Sequence, residues 1–201
     1  TVGLTPVLLE QLSHDHFKAG FIEYLDDRME RARSDRRDFE SQNQPHLAHL
    51  ATRWEQWYGK RREQFEAIDR DIANAYGRHA KEGHIQILTS AATHGYLPLL
   101  YEDSSIRAQL RAGLASSHRI LGFKPTGMWL PDCAYRPCGA CTPTNVSAGN
   151  DHRIGIEHLV ADETINHYFL EEHLIGTARS EWVNDNGWHK VGWDDAEKDP
   201  G

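Results

Sequence analysis

Three short apolar runs, HIQILTS (84–90), TGMWLP (126–131) and HYFL (167–170), recur at intervals of roughly 40 residues. Between them lie SSIRAQLRAGLASSHRILG (104–122) and RIGIEHLVADETI (153–165), in which apolar residues return at helical spacing. Ser104 and Ser105 are capping signals in front of the first helix, and Gly122 stands behind it. Strands that alternate with helices in this way predict βαβ units on a parallel sheet. Right-handed crossovers then place every strand's carboxyl end on one edge. A doubly wound sheet and a β/α barrel both fit the pattern.

The first part of the chain has a different rhythm. Thr5-Pro6 reads as a helix start, a capping hydroxyl followed by Pro in the first turn. Phe17, Phe21, Leu25 and Met29 follow at helical spacing, and a polar stretch at Ser41–Pro45 interrupts them. From His46 to about Tyr76 the pattern resumes, with Leu47, Leu50, Trp54, Trp57, Tyr58, Phe65, Ile68 and Ile72 on one stripe. The expectation is a long helical hairpin whose aromatic stripe is core packing; a ligand platform is the alternative. At 201 residues, one domain is expected. It has a helical segment at 4–80, a βαβαβ core at 83–175 and a polar tail at 176–201.

Chemistry in parallel α/β folds collects beyond the carboxyl ends of the strands. The first run leads into AATHGYLPLL, which carries His94 and Tyr96, and the second into Asp132, Tyr135 and Arg136. The third leads into Glu171, Glu172 and His173. Carboxylates, imidazoles and aromatics thus converge on one edge from three loops. Asp132 is read as a working carboxylate, sharply placed by Pro131 and held ionised by Arg136. The alternative is an ordinary Asp–Arg loop pin. His94 and His173, taken singly, also fit scaffold roles, and Trp129 fits either a core position or an exposed ring face.

Composition removes several function classes. The formal charge is −8, which opposes sequence-independent attraction to nucleic-acid phosphates. No apolar run approaches the roughly 20 residues that cross a bilayer, and no signal segment opens the chain. Three cysteines, an odd number, point to a reducing, cytoplasmic setting rather than a disulfide framework. Cys133, Cys138 and Cys141 open a plant-type iron–sulfur spacing but lack its fourth thiolate. A zinc site of three Cys and one His is arithmetically open; the expectation is inert thiols, no metal and no cofactor. The chain starts at Thr1 without Met and stops on a polar tail, so it is expected to be a piece of a longer polypeptide.

GHIQILTSAATHGYLPLL followed by GFKPTGMWLPDCAYRP resembles glycoside hydrolase family 57, in particular its α-1,4-glucan branching-enzyme-like members. LTPVLLEQL and RIGIEHLVADETINHYFLEEHLI are similar to segments before and after these motifs, so the resemblance spans most of residues 4–175. It implies a partial β/α barrel, the incomplete seven-fold type, acting on an α-glucan with retention of anomeric configuration. The nucleophile there is the Glu of a WLPEC motif, which falls on Asp132, and the His of THGYLP falls on His94. His94, Trp129, Tyr135, Arg136, Gln86 and His173 are then expected around the substrate. Two departures are Asp132 in place of Glu and Gln86 where many relatives have Glu. The family's acid/base Asp and its N-terminal paired histidines belong to motifs that this chain does not contain. Three function classes follow: a retaining glucan hydrolase or transferase incomplete in this chain, a non-catalytic glucan binder, and a Cys-based metal or redox module.

Overall fold

Four short strands, all parallel, form the sheet that carries the motifs. The computed structural model describes residues 1–140, 152–170, 181–184 and 187–190. β1 (Val2–Gly3), β2 (Ile87–Thr89), β3 (Gly127–Trp129) and β6 (His167–Phe169) lie in the order β1-β2-β3-β6. Leu88 pairs with Gly127, and Trp129 with Phe169. α5 (Asp103–Leu121) lies between β2 and β3, and α6 (Ile156–Asp162) between β3 and β6, as the alternating pattern requires. The strands are shorter than the apolar runs. α6 starts only at Ile156, because Arg153 belongs to a small antiparallel pair, β4 (Gly139–Ala140) with β5 (His152–Arg153).

Strand alternation decides which residues are available to a ligand. Met128 and Leu130 are fully buried against Ile106, Leu110 and Leu114 of α5 and Ile156, Leu159 and Val160 of α6. Leu88, Gly127, Trp129, His167 and Phe169 therefore point to the opposite face. Gly127 is required there, since a Cβ would run into the His167 ring and the Leu88 side chain.

The chain divides into two compact units, one of residues 1–6, 87–118 and 124–201, the other of 7–86 and 119–123. The second is helical: α1 (Pro6–Ser13), α2 (Asp15–Ser41), α3 (Pro45–Ala67) and α4 (Ile72–Lys81). α2 and α3 form the expected hairpin, turned by Asn43 at φ 53° with Pro45 opening α3. The resumed stripe does not run to Tyr76 unbroken, because Asp69 and Arg70, at φ 56° and 58°, end α3 first.

The aromatic stripe is only partly core, which corrects the sequence expectation. Phe65 is buried and meets Phe21 edge-on at 4.9 Å, but Trp54 and Trp57 are 53% and 46% exposed. The seam between α2 and α3 is filled instead by Leu25, Ala32, Ala48 and Ala51. Small side chains there allow close approach, and ion pairs such as Arg33–Glu55 (2.7 Å) and Arg62–Asp26 (2.8 Å) flank them. The displaced rings line an open cleft of about 750 Å³. The polar tail also contains structure: β7 (Glu181–Asn184) and β8 (Gly187–Lys190) pair antiparallel. Trp182, Val183 and Trp188 are strand-favouring residues that the tail's overall polarity concealed. Among the described residues, no helix is long and apolar enough to cross a membrane.

Candidate active site

The carboxyl end of β2 runs into a tight turn at Ala91–His94. The His94 N–H donates to the Ala91 carbonyl (3.0 Å), and His94 takes the left-handed conformation at φ 57°. α5 anchors this turn: the Ala92 N–H donates to the Gln109 carbonyl (3.0 Å), and the Thr93 N–H to Gln109 Oε1 (3.0 Å). Beyond β3 comes a tight double turn, in which the Cys133 N–H donates to the Leu130 carbonyl (2.8 Å) and the Ala134 N–H to the Pro131 carbonyl (3.0 Å). Asp132 and Cys133 are consecutive left-handed residues at φ 54° and 51°. Such backbone is uncommon outside glycine and gathers at functional sites.

Ser90 ties the two turns together. Its Oγ donates to the Trp129 carbonyl (2.8 Å) and lies 3.0 Å from His94 Nδ1. A hydroxyl has one proton, and a carbonyl can only accept, so Ser90 accepts from His94 Nδ1–H. Neutral His94 is thereby held as the Nδ1–H tautomer, leaving Nε2 as an acceptor for a ligand hydroxyl. Replacing Ser90 with Ala should release this tautomer. A ¹⁵N-labelled sample is expected to show Nδ1 protonated in the parent and Nε2 predominantly protonated in Ser90→Ala. An Nε2–H tautomer in the parent would remove the bridge from the argument.

Asp132 stands exposed at this same edge, and no hydrogen bond or ion pair ties its carboxylate to another described residue. Trp129 is 42% exposed and stacks at 5.7 Å on Phe169, itself 43% exposed, the pair forming an exposed aromatic ledge. Trp129 is therefore not a core residue.

Two of the predicted neighbours are used elsewhere. Arg136 does not hold Asp132. Its Nη2 reaches the Asp103 carboxylate (3.4 Å) and the Ile154 carbonyl (3.0 Å) instead. The reason is Asp103 at the start of α5, already gripping buried Arg153 (Nε to Oδ1, 2.7 Å) and the Ile154 N–H (2.9 Å). Tyr135 turns to the helix-side core, stacking at 6.4 Å on Tyr168. Burial raises both phenols, Tyr135 well beyond its ordinary value and Tyr168 to about 12, so both stay neutral at physiological pH. Gln86 precedes β2 at its amino end and is not among the residues gathered at the carboxyl edge. His173, like Glu171 and Glu172, lies outside the described residues. Cys133 is half-buried and Cys138 exposed, whereas Cys141 lies outside the described residues. Sequence reasoning missed Ser90 and Phe169; Ser90 is merely the polar end of an apolar run, and nothing marks its hydroxyl.

The model of glycosyl hydrolase family 57 matches residues 3–189. The chain belongs to this family. A curated relative, the 1,4-alpha-glucan branching enzyme TK1436 of Thermococcus kodakarensis, is 34% identical over 175 residues, covering 87% of this chain and 25% of the relative. This chain thus spans about a quarter of that relative's length. Among solved structures, the GH57-type branching enzyme of Pyrococcus horikoshii matches with a TM-score of 0.79 and 33% identity, over 92% of this chain and 35% of that one. The structure of TK1436 in complex with glucose and additives gives 0.75 and 31%, over 94% and 34%. The alpha-amylase AmyC of Thermotoga maritima, at 19% identity and TM-score 0.75, shares the fold. The family 57 sheet described above is therefore a partial β/α barrel of parallel strands, with the helical hairpin inserted before β2.

Proposed function

We propose that this chain supplies part of the catalytic barrel of an enzyme acting on α-1,4-glucans with retention of configuration, and that Asp132 is its nucleophile. The observation that carries this reading is the Ser90 bridge. It gathers the His94 turn and the Trp129–Asp132 segment at one strand edge, next to an exposed aromatic pair. Asp132 attacks the anomeric carbon and forms a glycosyl ester. A second carboxylate, contributed from outside this chain, first protonates the leaving oxygen and then deprotonates the acceptor. A sugar hydroxyl as acceptor gives branching or transfer, and water gives hydrolysis. His94 Nε2 accepts from a substrate hydroxyl, and the Trp129–Phe169 ledge takes the apolar face of a glucose ring. Such an enzyme belongs with cytoplasmic glycogen-type metabolism.

The trapping experiment uses an α-glucosyl fluoride, whose leaving group needs no proton and therefore no second carboxylate. A glycosyl ester on Asp132 found by mass spectrometry supports the reading; modification elsewhere, or none, sinks it. The ledge has its own test. Trp129→Ala or Phe169→Ala should each weaken binding of a maltooligosaccharide about tenfold, which corresponds to about 1.4 kcal/mol. Affinity unchanged from the parent in both variants would place the sugar elsewhere.

A second reading, a non-catalytic glucan binder, rests on the shortened acid at position 132. It keeps the ledge and His94 but forms no ester.

A further inference from the structure

The end of α4 carries a side-chain cluster that plays no part in the proposed glucan site. α4 closes in a Schellman motif. The His84 N–H donates to the His79 carbonyl (3.0 Å) and the Gly83 N–H to the Ala80 carbonyl (3.1 Å), with Gly83 left-handed at φ 79°. This motif sets the side chains at its two ends against each other, and the pair is usually apolar. Here both are imidazoles, with ring centroids 5.8 Å apart. The Glu82 carboxylate reaches both: its Oε2 lies 3.7 Å from His79 Nδ1 and 3.3 Å from His84 Nδ1. One ligand atom from each of the three residues lies within 4.8 Å of the other two.

We propose that His79, Glu82 and His84 form a binding site for a divalent first-row transition-metal ion, with Zn²⁺ as the fitting case. A tetrahedral zinc with bonds of about 2.0–2.1 Å separates its ligand atoms by about 3.4 Å. Two edges of the observed triangle, 3.7 and 3.3 Å, already match. The third closes by rotation of an exposed imidazole. Two imidazoles and one carboxylate suit zinc rather than magnesium or calcium, which prefer oxygen ligands alone. Water fills the fourth position. The backbone motif holds all three Cα positions before the ion arrives, so only side-chain rotation is lost on binding. The spacing H-x2-E-x-H is short enough to read in the sequence, but it has meaning only once Gly83 folds His84 back over the helix end.

Zinc chloride is titrated by calorimetry into chelator-treated chain in which Cys133, Cys138 and Cys141 are replaced by Ser, so that thiols do not contribute. One site is expected. His79→Gln or His84→Gln should weaken it by at least about tenfold, the lower end of what even an outer-shell partner costs a metal site. Gly83→Ala, which strains the left-handed turn but removes no ligand, should weaken it by a smaller factor. His79, Gly83 and His84 are exposed, and unchanged circular dichroism confirms that each variant folds. Absence of binding at millimolar zinc, or affinity unchanged from the parent in either histidine variant, overturns the proposal.

Discussion

Asp132→Asn is expected to reduce turnover of an α-1,4-glucan by about 10³-fold or more, since the amide cannot form the glycosyl ester. The assay requires a polypeptide carrying this chain together with a second catalytic carboxylate, and the reading is kcat. The informative comparison is Asp132→Glu. Retaining chemistry places its two carboxyl groups about 5–5.5 Å apart. An acid shorter by one methylene withdraws by roughly 1 Å, and misplacement on that scale costs on the order of 100-fold. The local backbone offers a reason why the shorter acid is nevertheless suited to this position. Asp132 sits at φ 54° in the left-handed region, where Asp is several-fold enriched among non-glycine residues. A working enzyme should show measurable turnover with Asp132, abolished in Asp132→Asn. No turnover with Asp132, followed by its appearance in Asp132→Glu, would establish the non-catalytic reading instead.

The parts of the molecule that periodicity controls were legible in the sequence, and the parts that long-range contacts control were not. Burial on one face of a strand or helix leaves a repeat, which is why β2, β3, β6, α5 and α6 fall close to their predicted places. The strand-end rule then put His94 and Asp132 on one edge without any coordinates. Partnership obeys no such rule. Arg136 is four residues from Asp132, and proximity in sequence suggested a pair; its actual partner, Asp103, is 33 residues away, on another element. The aromatic stripe of α3 failed for a related reason. Hydrophobicity ranked Trp54 and Trp57 above Ala48 and Ala51, yet a close helix seam selects small side chains, and the rings were displaced outward. Ser90 is a third case. Its importance lies in one hydroxyl that donates to a carbonyl while accepting from an imidazole, and composition carries no trace of that.

Asp103→Ala should destabilise the chain by about 3 kcal/mol, the cost expected when one partner of a largely buried pair is removed. The argument rests on what the substitution leaves behind. Arg153 retains only 8% of its side-chain exposure and Asp103 21%, and Arg153 Nε and Nη2 both reach Asp103 Oδ1, at 2.7 and 2.6 Å. Without the carboxylate, a buried guanidinium keeps the Leu100 carbonyl (3.0 Å) and the face of the Tyr101 ring (6.0 Å), and the Ile154 N–H loses its acceptor. This staple joins the start of α5 to the segment entering α6, which packs beneath Met128 and Leu130 of the run that leads to Asp132. Acid should reproduce part of the effect. Burial pushes the Asp103 carboxyl upward, but the Ile154 N–H and the guanidiniums of Arg153 and Arg136 outweigh it and hold the group below its ordinary value. A group depressed in the folded state contributes stability above its unfolded value of about 3.9 and loses it as pH falls through the folded value. Urea unfolding should therefore show the full gap between parent and Asp103→Ala at neutral pH, and a shrinking gap below about pH 4. A gap independent of pH down to the acid limit would mean that packing, not charge, holds these segments together.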